Sequence, residues 1–233
     1  MVSVIIPSLL KSEYTGELLR GLNDCKMVKE IIFINNSLVE SPLFKNLAKL
    51  KVITPNQNLY VNASWNLGVR HSECDFIALC NDDINFEYEK IETIIAYLNK
   101  KNGIIGISEK CINSDPDHKI TFEIAEYRNY GYGALMFLHK SNYTPIPDEL
   151  KIWCGDDYLF YRQRGFNYKI CGIKLITTMS TTSGLTQFDD IKQRDMEVYS
   201  KYYRKTFAAP KRIYFALRKA LNKVYTPCQS KAE

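Results

Sequence analysis

The segment Cys74-Asp-Phe-Ile-Ala-Leu-Cys-Asn-Asp-Asp-Ile84 decides the fold class of this 233-residue chain. Its apolar part, residues 76–80, is typical of a buried β-strand, and it ends abruptly in Asn81, Asp82 and Asp83. Open α/β proteins bind ligands at the carboxyl edge of the sheet, so a strand that ends this way delivers carboxylates to a ligand site. Hard divalent cations such as Mg²⁺ or Mn²⁺ prefer these oxygen ligands. The alternative is a solvated turn, because Asp and Asn also end strands.

Strands and helices alternate along the first half of the chain. Each predicted strand is apolar almost throughout, which is typical of strands buried on both faces of a parallel sheet. We therefore predict an α/β fold with a central, mostly parallel sheet and helices on both faces. The strands are predicted at 2–8, 30–37, 51–54, 75–80 and 103–107, and the helices at 13–23, 44–50, 63–71 and 87–101.

The pattern becomes less regular after residue 108. The predicted elements beyond it are strands at 121–125 and 133–138 and a helix at 156–164. The simplest organisation is one domain over residues 1–195, with a regular half at about 1–108 and an irregular half at about 109–195. Residues 196–233 form a C-terminal tail.

Composition indicates a soluble cytoplasmic protein. Hydrophobic content of 45% and charged content of 24% are ordinary for globular proteins. The seven cysteines are odd in number and form no CxxC pair, which favours a reducing compartment. The N-terminal apolar stretch lacks a basic lead-in and is interrupted by Pro7, so it does not predict a signal peptide. No apolar run approaches the roughly 20 residues that a spanning helix needs.

The positive charge is concentrated in the tail. Nine Lys/Arg against two Glu give a net charge of +7 from residue 197 onward, which leaves −2 for the rest of a chain whose net charge is +5. A predicted helix there places Ile213, Leu217, Ala220, Leu221 and Val224 on one face. A basic amphipathic helix suits an anionic membrane surface, and packing on its own domain or in a dimer is the alternative. We do not expect nucleic-acid binding, because no recognisable binding motif accompanies the charge.

Short polar residues end three of the predicted strands. They are Ser8, the run 35–37 (Asn-Asn-Ser) and the run 81–83 (Asn-Asp-Asp). The carboxyl ends of parallel strands lie at one edge, so these side chains are expected to line one crevice. Amides and a hydroxyl there can bond a nucleobase or a ribose, although turns after strands are also polar.

The segment 58–68, Asn-Leu-Tyr-Val-Asn-Ala-Ser-Trp-Asn-Leu-Gly, predicts the beginning of a helix. Gly68 lies inside that helix, where Gly costs about 1 kcal/mol relative to Ala. A glycine at this cost indicates close approach, either of a ligand or of a packed neighbour.

Two adjacent carboxylates, Asp156 and Asp157, begin a predicted helix after Trp153-Cys-Gly155. Helix capping explains them, because acidic residues are favoured at helix starts. The functional alternative is a general base that deprotonates a sugar hydroxyl, with Trp153 as a stacking platform. A large aromatic also fits a core position.

Taken in order, these segments resemble the motifs of family 2-type glycosyltransferases, which have the GT-A fold, a Rossmann-like nucleotide-sugar-binding domain. The matching segments are 2–7, 35–37, 58–68, 81–83, 131–137 and 156–165. Tyr60 and Ser64 depart from the family pattern, which has Gly and Ala there. The resemblance spans about residues 1–185.

The resemblance implies inverting transfer of a sugar from a nucleoside-diphosphate sugar, here a UDP-sugar, to an acceptor hydroxyl of a growing surface glycan or lipid-linked acceptor. It makes Asp83 the ligand of Mn²⁺ or Mg²⁺ and Asp157 the general base, with Asp156 as the fallback. It places Trp153 and Gly133 beside the acceptor. The residues that it places around the donor are Pro7, Ser8, Asn35, Asn36, Asn58, Asn66, Asn81 and Asp82.

Two departures affect what the resemblance implies. Many relatives have an Asp that contacts the nucleobase where this chain has Asn35. Many also have a His after the helix that begins with the family's Glu-Asp pair, which corresponds here to Asp156 and Asp157. The corresponding stretch here, 177–183, has no histidine, and the three histidines of the chain, His71, His118 and His139, lie elsewhere. We therefore expect the diphosphate and water to supply most of the metal ligands.

Two other classes of protein compete with the glycosyltransferase. A nucleotidyltransferase that makes nucleotide-sugars has a related scaffold, but it usually carries a Gly-rich phosphate loop after the first strand, and residues 7–12 contain no glycine. A catalytically silent nucleotide- or sugar-binding module is the second alternative. It predicts that replacement of Asp156 or Asp157 leaves function unchanged.

Overall fold

The computed structural model describes residues 1–116, 119–178, 186–203 and 209–225. Its strands are β1 Val2–Ser8, β2 Val28–Asn35, β3 Leu50–Ile53, β4 Phe76–Cys80, β5 Ile84–Phe86, β6 Ile105–Ile107, β7 Thr121–Ile124, β8 Leu135–His139, β9 Tyr168–Cys171 and β10 Leu175–Thr177. Its helices are α1 Thr15–Asp24, α2 Tyr60–His71, α3 Ile91–Tyr97, α4 Gly155–Arg162, α5 Asp189–Tyr202 and α6 Ala209–Tyr225.

Eight strands form one sheet in the order β3-β2-β1-β4-β8-β6-β9-β7, and β5 pairs with β10 apart from it. β1 to β4 pair in parallel, as do β6 and β9, while β8 runs antiparallel between β4 and β6. This confirms the predicted α/β class with a mostly parallel central sheet. Because β8 lies between them, β6 does not pair with β4, so the parallel run stops at the strand that ends in the carboxylates.

The sheet separates two apolar cores. Val4 and Ile6 lie in the core with α1 and α3, whereas Ile5 lies in the core with α2, α4 and α5. Successive side chains of a strand point to opposite faces of the sheet. Gly68 of α2 lies directly over Ile5, and a Cβ at this position would collide with the Ile5 side chain. Of the two interpretations of this glycine, the structure supports the packing contact.

Two predicted helices differ from the structure. The helix predicted at 44–50 is absent: a 3₁₀ turn spans Pro42–Phe44, and Asn46 has a left-handed φ of 62° that a continuous helix excludes. The helix predicted at 87–101 is reduced to α3, with a 3₁₀ turn at Tyr88–Lys90 before it. The strands β5, β9 and β10, each of four residues or fewer, were not predicted.

The described part of the C-terminal region contains two helices, α5 and α6. α5 continues through residue 196, the predicted start of the tail, and its Asp195 and Tyr199 are buried in the domain. α6 contacts the domain through Lys211, whose Nζ donates to the carbonyl of Gln163 at 2.8 Å and to that of Gly165. Along the described chain, no helix has the length and apolar character needed to span a bilayer.

Candidate active site

A cavity of about 410 Å³ lies at the carboxyl ends of β1 and β4. It gathers most of the site residues that the sequence predicts, from both halves of the domain. Those that line it are Pro7, Ser8, Asn36, Asn58, Asn81, Asp82, Asp83, Gly133, Trp153, Asp156 and Asp157. Asn35 and Asn66 are not among its lining residues.

Asp82 is held at the sheet edge by the end of the neighbouring strand. The Ser8 hydroxyl donates to Asp82 Oδ2 and accepts the Leu10 N–H at 2.8 Å. Burial raises the pKa of Asp82 to about 6, the negative charge of Asp83 acts in the same direction, and the Ser8 hydrogen bond opposes both. Asp82 and Asp83 are both buried, so two carboxylates lie close together with little solvent.

Asn36 fixes the beginning of α2 beside the cavity. Its Nδ2 donates to Ser64 Oγ at 2.9 Å and to the Tyr60 carbonyl at 3.2 Å, and its Oδ1 accepts the Leu59 N–H at 3.0 Å. Asn58 Oδ1 accepts the Tyr60 N–H at 2.8 Å. Tyr60 has a φ of 60°, a left-handed conformation that favours glycine. Tyr60, which replaces the glycine of the family pattern, therefore keeps a backbone conformation suited to glycine.

Asn35 stabilises a turn next to the cavity. Its Nδ2 donates to the Val39 carbonyl at 2.8 Å, and its Oδ1 accepts the Ser37 N–H at 3.2 Å. The amide is thus engaged within the turn 35–39 that follows β2. Asn35 does not line the cavity, although the sequence predicted that it would contact the donor.

Asn66 forms hydrogen bonds with the loop between β8 and α4. Its Nδ2 donates to the Ile146 carbonyl at 2.8 Å, while its Oδ1 accepts the Ile146 N–H at 2.9 Å and the Tyr143 hydroxyl at 2.7 Å. The whole amide is therefore used inside the protein. The structure places this residue under the loop and outside the lining of the cavity.

Two further buried side chains hold the same loop closer to the cavity. Asn62 donates to the carbonyls of Leu150 and Trp153, each at 3.2 Å. The fully buried carboxylate of Asp195, on α5, accepts three consecutive backbone N–H groups, at distances of 2.8 to 3.1 Å. These belong to Lys151, Ile152 and Trp153. We call residues 146–154 the acceptor loop, after the acceptor side that the sequence predicts around Trp153.

The acceptor loop ends in Cys154, whose φ of 62° is unfavourable for a residue with a Cβ. This turn directs the next residues, at the start of α4, into the cavity. Trp153 is half-buried and lines the cavity, and Lys192 Nζ lies 5.8 Å from the centre of its ring. The ring is therefore positioned as a wall of the cavity, where the sequence predicted a stacking platform.

Asp156 and Asp157 share one cation. Arg128 Nη1 lies 3.1 Å from Asp156 Oδ2, and Arg128 Nε lies 3.1 Å from Asp157 Oδ1. Burial raises the pKa of Asp156; the Arg128 charge opposes this shift and the Asp157 charge adds to it. Gly133 allows the approach, because a Cβ there would lie 2.5 Å from Asp156 Oδ2.

Sequence reasoning missed several residues of the cavity. Arg128 and Tyr130 come from the loop between β7 and β8, and Phe188 and Met196 come from α5 and the turn before it. The segment 126–130, Glu-Tyr-Arg-Asn-Tyr, resembles any solvated loop, so no spacing identifies its arginine. A signal existed only for Tyr60, as a departure from a family glycine.

The predicted metal site depends on the carboxylates that follow a single strand, β4. Within the described residues, no group of three or more His, Cys, Asp or Glu side chains could hold a metal ion. Of the histidines, His139 accepts the Ser141 N–H at 3.1 Å, His71 is exposed on α2, and His118 lies outside the described residues. The stretch 177–183 is described only to residue 178. A Mg²⁺-type ion bound by one or two carboxylates plus substrate phosphates fits this donor set.

The comparisons with known proteins agree on the fold. The TarS fragment 1–349 from S. aureus in complex with UDP is 15% identical, with a TM-score of 0.58, and the match covers 87% of this chain and 72% of that chain. The mannosyltransferase PcManGT from Pyrobaculum calidifontis, in complex with GDP-Man and Mn²⁺, is 10% identical, with a TM-score of 0.62 over 90% of this chain and 66% of that chain.

HddC from Yersinia pseudotuberculosis, complexed with GMP-PN, is a third similar structure, at 15% identity and a TM-score of 0.55 over 84% of this chain and 99% of that chain. No curated protein matches the sequence.

The family assignment rests on the sequence itself. The profile of the family described as "Glycosyl transferase family 2" matches residues 3–147, which is more than half of the chain. The match includes the strand-end carboxylates and Gly133, and it stops before Asp156 and Asp157. The order of motifs, the GT-A architecture and this match therefore agree, and the chain belongs to glycosyl transferase family 2 and is a glycosyltransferase.

Proposed function

We propose that the protein transfers a sugar, with inversion, from a UDP-sugar to an acceptor hydroxyl of a growing surface glycan. The observation that carries this proposal is that one cavity brings the carboxylates at the end of β4 and those at the start of α4 together. A donor diphosphate and a nucleophile need these two groups on opposite sides of the reacting carbon.

On the donor side, the ends of β1, β2 and β4 form the nucleotide site. Asn36, Asn58 and Asn81 line the cavity with Pro7 and Ser8, and the amides of Asn58 and Asn81 suit a base and a ribose. Asn36 and Ser8 support this site through their hydrogen bonds to the start of α2 and to Asp82. Asp82, the carboxylate next to the predicted metal ligand, faces the ribose. UDP is preferred as the donor nucleotide because UDP is bound in the similar TarS structure, although GDP-Man is bound in PcManGT.

Asp83 is the residue that would hold Mn²⁺ or Mg²⁺, with the donor's own phosphates and water as the other ligands. When bound, such an ion neutralises the negative charge of the leaving diphosphate. Mn²⁺ is bound in the PcManGT structure, which supports a divalent metal here.

Asp157 is proposed as the general base. Its carboxylate takes the proton from the acceptor hydroxyl, the acceptor oxygen forms a bond to the anomeric carbon, and the bond from that carbon to the diphosphate oxygen breaks with its electron pair on the diphosphate. Asp156 is the fallback, but burial raises its pKa, which favours its protonated form. Trp153 and Gly133 form the wall that the acceptor contacts.

Calorimetry of nucleotide diphosphates tests the donor side. UDP, GDP, CDP and dTDP are titrated into the protein with Mn²⁺ and then with EDTA. We expect UDP to bind, and its affinity to fall with EDTA and in Asp83→Ala, because the diphosphate then lacks its cation. Glu89→Ala, a change in the 3₁₀ turn before α3, is the control. Absence of binding by any nucleotide in either condition would contradict the metal site and favour the silent module.

Turnover of the two carboxylate variants tests the base. We expect Asp157→Asn to lose at least about 10²-fold in sugar transfer, the lower range for a general base, with UDP affinity retained. Asp156→Asn loses less if Asp157 is the base. Equal turnover by wild type and both variants would show that neither carboxylate is the base, whereas UDP binding without turnover in wild type would support the silent module. Incubation with a nucleoside triphosphate and a sugar phosphate tests the nucleotidyltransferase, which would release pyrophosphate.

We also propose that the enzyme works at an anionic membrane surface that holds a lipid-linked acceptor, on the cytoplasmic side. α6 turns Lys211 and Phe215 toward the domain and leaves Ile213 and Leu217 exposed, 60% and 59% respectively. Arg212 and Lys219 are also exposed on this helix. Exposed apolar side chains between basic ones are typical of a helix that lies in a membrane interface.

Co-sedimentation with vesicles tests this surface. We expect binding to vesicles that contain phosphatidylglycerol and weaker binding to phosphatidylcholine alone, because each basic residue near the surface adds about 1 kcal/mol. The double variant Ile213→Ser, Leu217→Ser should lose binding, and Ala216→Ser on the same helix should not. Equal sedimentation of wild type and double variant, with a dimer found by light scattering, would assign this face to self-association instead.

A further inference from the structure

The loop before β8 presents a cation to the cavity in a fixed position. Asn129 is buried, and its Nδ2 donates to the Ile107 carbonyl at 3.1 Å and to the Tyr130 carbonyl at 2.8 Å. Gly131 then takes a left-handed φ of 70°, which turns the chain into β8. The loop that carries Arg128 is thereby tied to the end of β6.

Arg128 reaches across the cavity to α4 and contacts both carboxylates there. Its two contacts of 3.1 Å use different nitrogens, Nη1 for Asp156 and Nε for Asp157, so the guanidinium bridges two residues that are adjacent in sequence. The Arg128 side chain is 27% exposed and that of Asp157 is 9% exposed, so water screens this pairing only in part. The planar fork of Arg suits such a bridge better than Lys does.

The other ionisable groups around the pair come from three elements. Cys154 lies in the acceptor loop, Tyr161 lies on α4, and Tyr199 lies on α5. Burial raises the pKa of both tyrosines, and the charge of Asp157 raises them further. Both tyrosines are therefore neutral near pH 7, and Arg128 supplies the positive charge that the two carboxylates meet.

We propose that Arg128 is the positioning residue of the base: it orients Asp157 toward the acceptor, and its charge favours the deprotonated form of the Asp156–Asp157 pair. The inference rests on the proposed function, in which Asp157 accepts the acceptor's proton. It goes further by assigning the working pH range of the enzyme to a residue outside the carboxylate motif. A carboxylate is a base only when deprotonated, and a nearby cation favours that state.

The sign of the effect follows from this geometry. The charge of Arg128 lowers the pKa of Asp156, in opposition to burial and to the charge of Asp157, which raise it. Removal of the cation therefore leaves burial and mutual repulsion unopposed. The pair then holds a proton up to a higher pH, and the acid side of the rate profile moves to higher pH.

The experiment combines a direct titration with kinetics in wild type, Arg128→Gln and Arg128→Lys. Carboxyl carbons of ¹³C-labelled aspartate are followed by NMR against pH, and Asp156→Asn and Asp157→Asn assign the signals. Arg164→Gln, which removes an exposed arginine just after α4, is the matched control. UDP affinity in each variant reports that the donor side is still folded.

We expect both signals to titrate at higher pH in Arg128→Gln, within the roughly 1–3 units that a neighbouring cation typically contributes. The acid limb of kcat for sugar transfer should move with them. Arg128→Lys should keep the limb close to that of wild type but lower kcat, because the charge is retained and the two-pronged contact is lost. Arg164→Gln should change neither.

Unchanged carboxyl titrations in Arg128→Gln would overturn the inference, whether or not the protein transfers sugar. Moved titrations with an unmoved acid limb would also overturn it, because the pair would then not be the base. Failure of the proposed function looks different: wild type would show no transfer to any acceptor, while the NMR titration would still decide whether Arg128 controls the protonation of the pair.

Discussion

The two carboxylate pairs of the cavity are held in place by different means. Asp82 and Asp83 follow a buried five-residue strand, with only Asn81 between, and the neighbouring strand supplies the Ser8 hydrogen bond. Asp156 and Asp157 begin an eight-residue helix whose preceding loop is held by side chains from α2 and α5. The donor side is therefore positioned by regular structure, and the acceptor side is positioned by buried polar contacts between distant residues.

This difference indicates where mutations separate the two functions. Contacts within the sheet edge change stability and nucleotide affinity together, because the strands themselves form the site. Contacts of the acceptor loop lie away from the nucleotide residues, so their loss should affect stability or turnover while nucleotide affinity persists. The variants below test this distinction, in order of expected effect.

Asp195→Asn is expected to have the largest effect. The carboxylate accepts three backbone N–H groups in a fully buried site, and an amide would turn one donor toward them. We expect the free energy of unfolding in urea to fall by about 3–4 kcal/mol, less than the sum of three charge-assisted hydrogen bonds because such contacts are not additive. UDP affinity should remain close to that of wild type.

The control for this variant is Asp190→Asn, an exposed position in the first turn of the same helix. It removes the same charge near the helix N-terminus and should cost less than about 1 kcal/mol. An equal loss of stability in both variants would show that Asp195 acts through the helix dipole and not through the acceptor loop.

Asn66→Ala comes next. It leaves the Tyr143 hydroxyl and both backbone groups of Ile146 without their partner, in a buried position. We expect a loss of about 2–3 kcal/mol in the free energy of unfolding, with UDP affinity changed less than about twofold. His71→Ala, exposed on the same helix, is the control. A large loss of UDP affinity with normal stability would restore Asn66 to the donor site, as the sequence predicted.

The same distinction explains how far the sequence could predict this site. β1, β2 and β4 and their terminal residues follow from local apolar runs, and the cavity contains Ser8, Asn36, Asp82 and Asp83 as expected. The partners of Asn66 could not be predicted, because a motif gives a residue's order in the chain but not the partner of its side chain.

Arg128 and Asp195 show more clearly which residues the sequence cannot predict. Each reaches residues that lie about 30 to 45 positions away in the chain, across loops without a periodic pattern. Neither has a local signal, since an arginine in a polar loop and an aspartate on a mostly polar helix are ordinary surface residues. Their burial and partners exist only after the helices have packed on the sheet.

Gly133→Ala is expected to affect turnover more than stability. The added Cβ would lie 2.5 Å from Asp156 Oδ2, so the carboxylate pair must shift away from β8. We expect kcat to fall at least about tenfold, because small displacements of catalytic groups are costly, while UDP affinity stays within about twofold. Gly16→Ala, whose Cβ would meet Leu43 Cδ2 at 3.1 Å, is a control outside the cavity. Unchanged kcat would show that Asp156 moves freely without affecting the base.

The smallest expected effect concerns Tyr60, and it requires a comparison of two variants. Tyr60→Ala and Tyr60→Gly both remove the ring, which lines the cavity and contacts Phe188 edge-to-face at 6.3 Å between centroids. They differ in the backbone, which has a φ of 60° there. Alanine retains the steric cost of the left-handed conformation and glycine does not.

We therefore expect the glycine variant to be more stable than the alanine variant by about 1 kcal/mol, the cost of a left-handed residue with a Cβ, as measured by urea unfolding. Within a helix the order is normally the reverse, since glycine costs about 1 kcal/mol relative to alanine. The reversed order would demonstrate that the start of α2 keeps a glycine-type backbone although tyrosine occupies the position. The normal order would show that α2 relaxes to an ordinary helical start once the ring is removed, and that the hydrogen bonds of Asn36 do not fix this conformation.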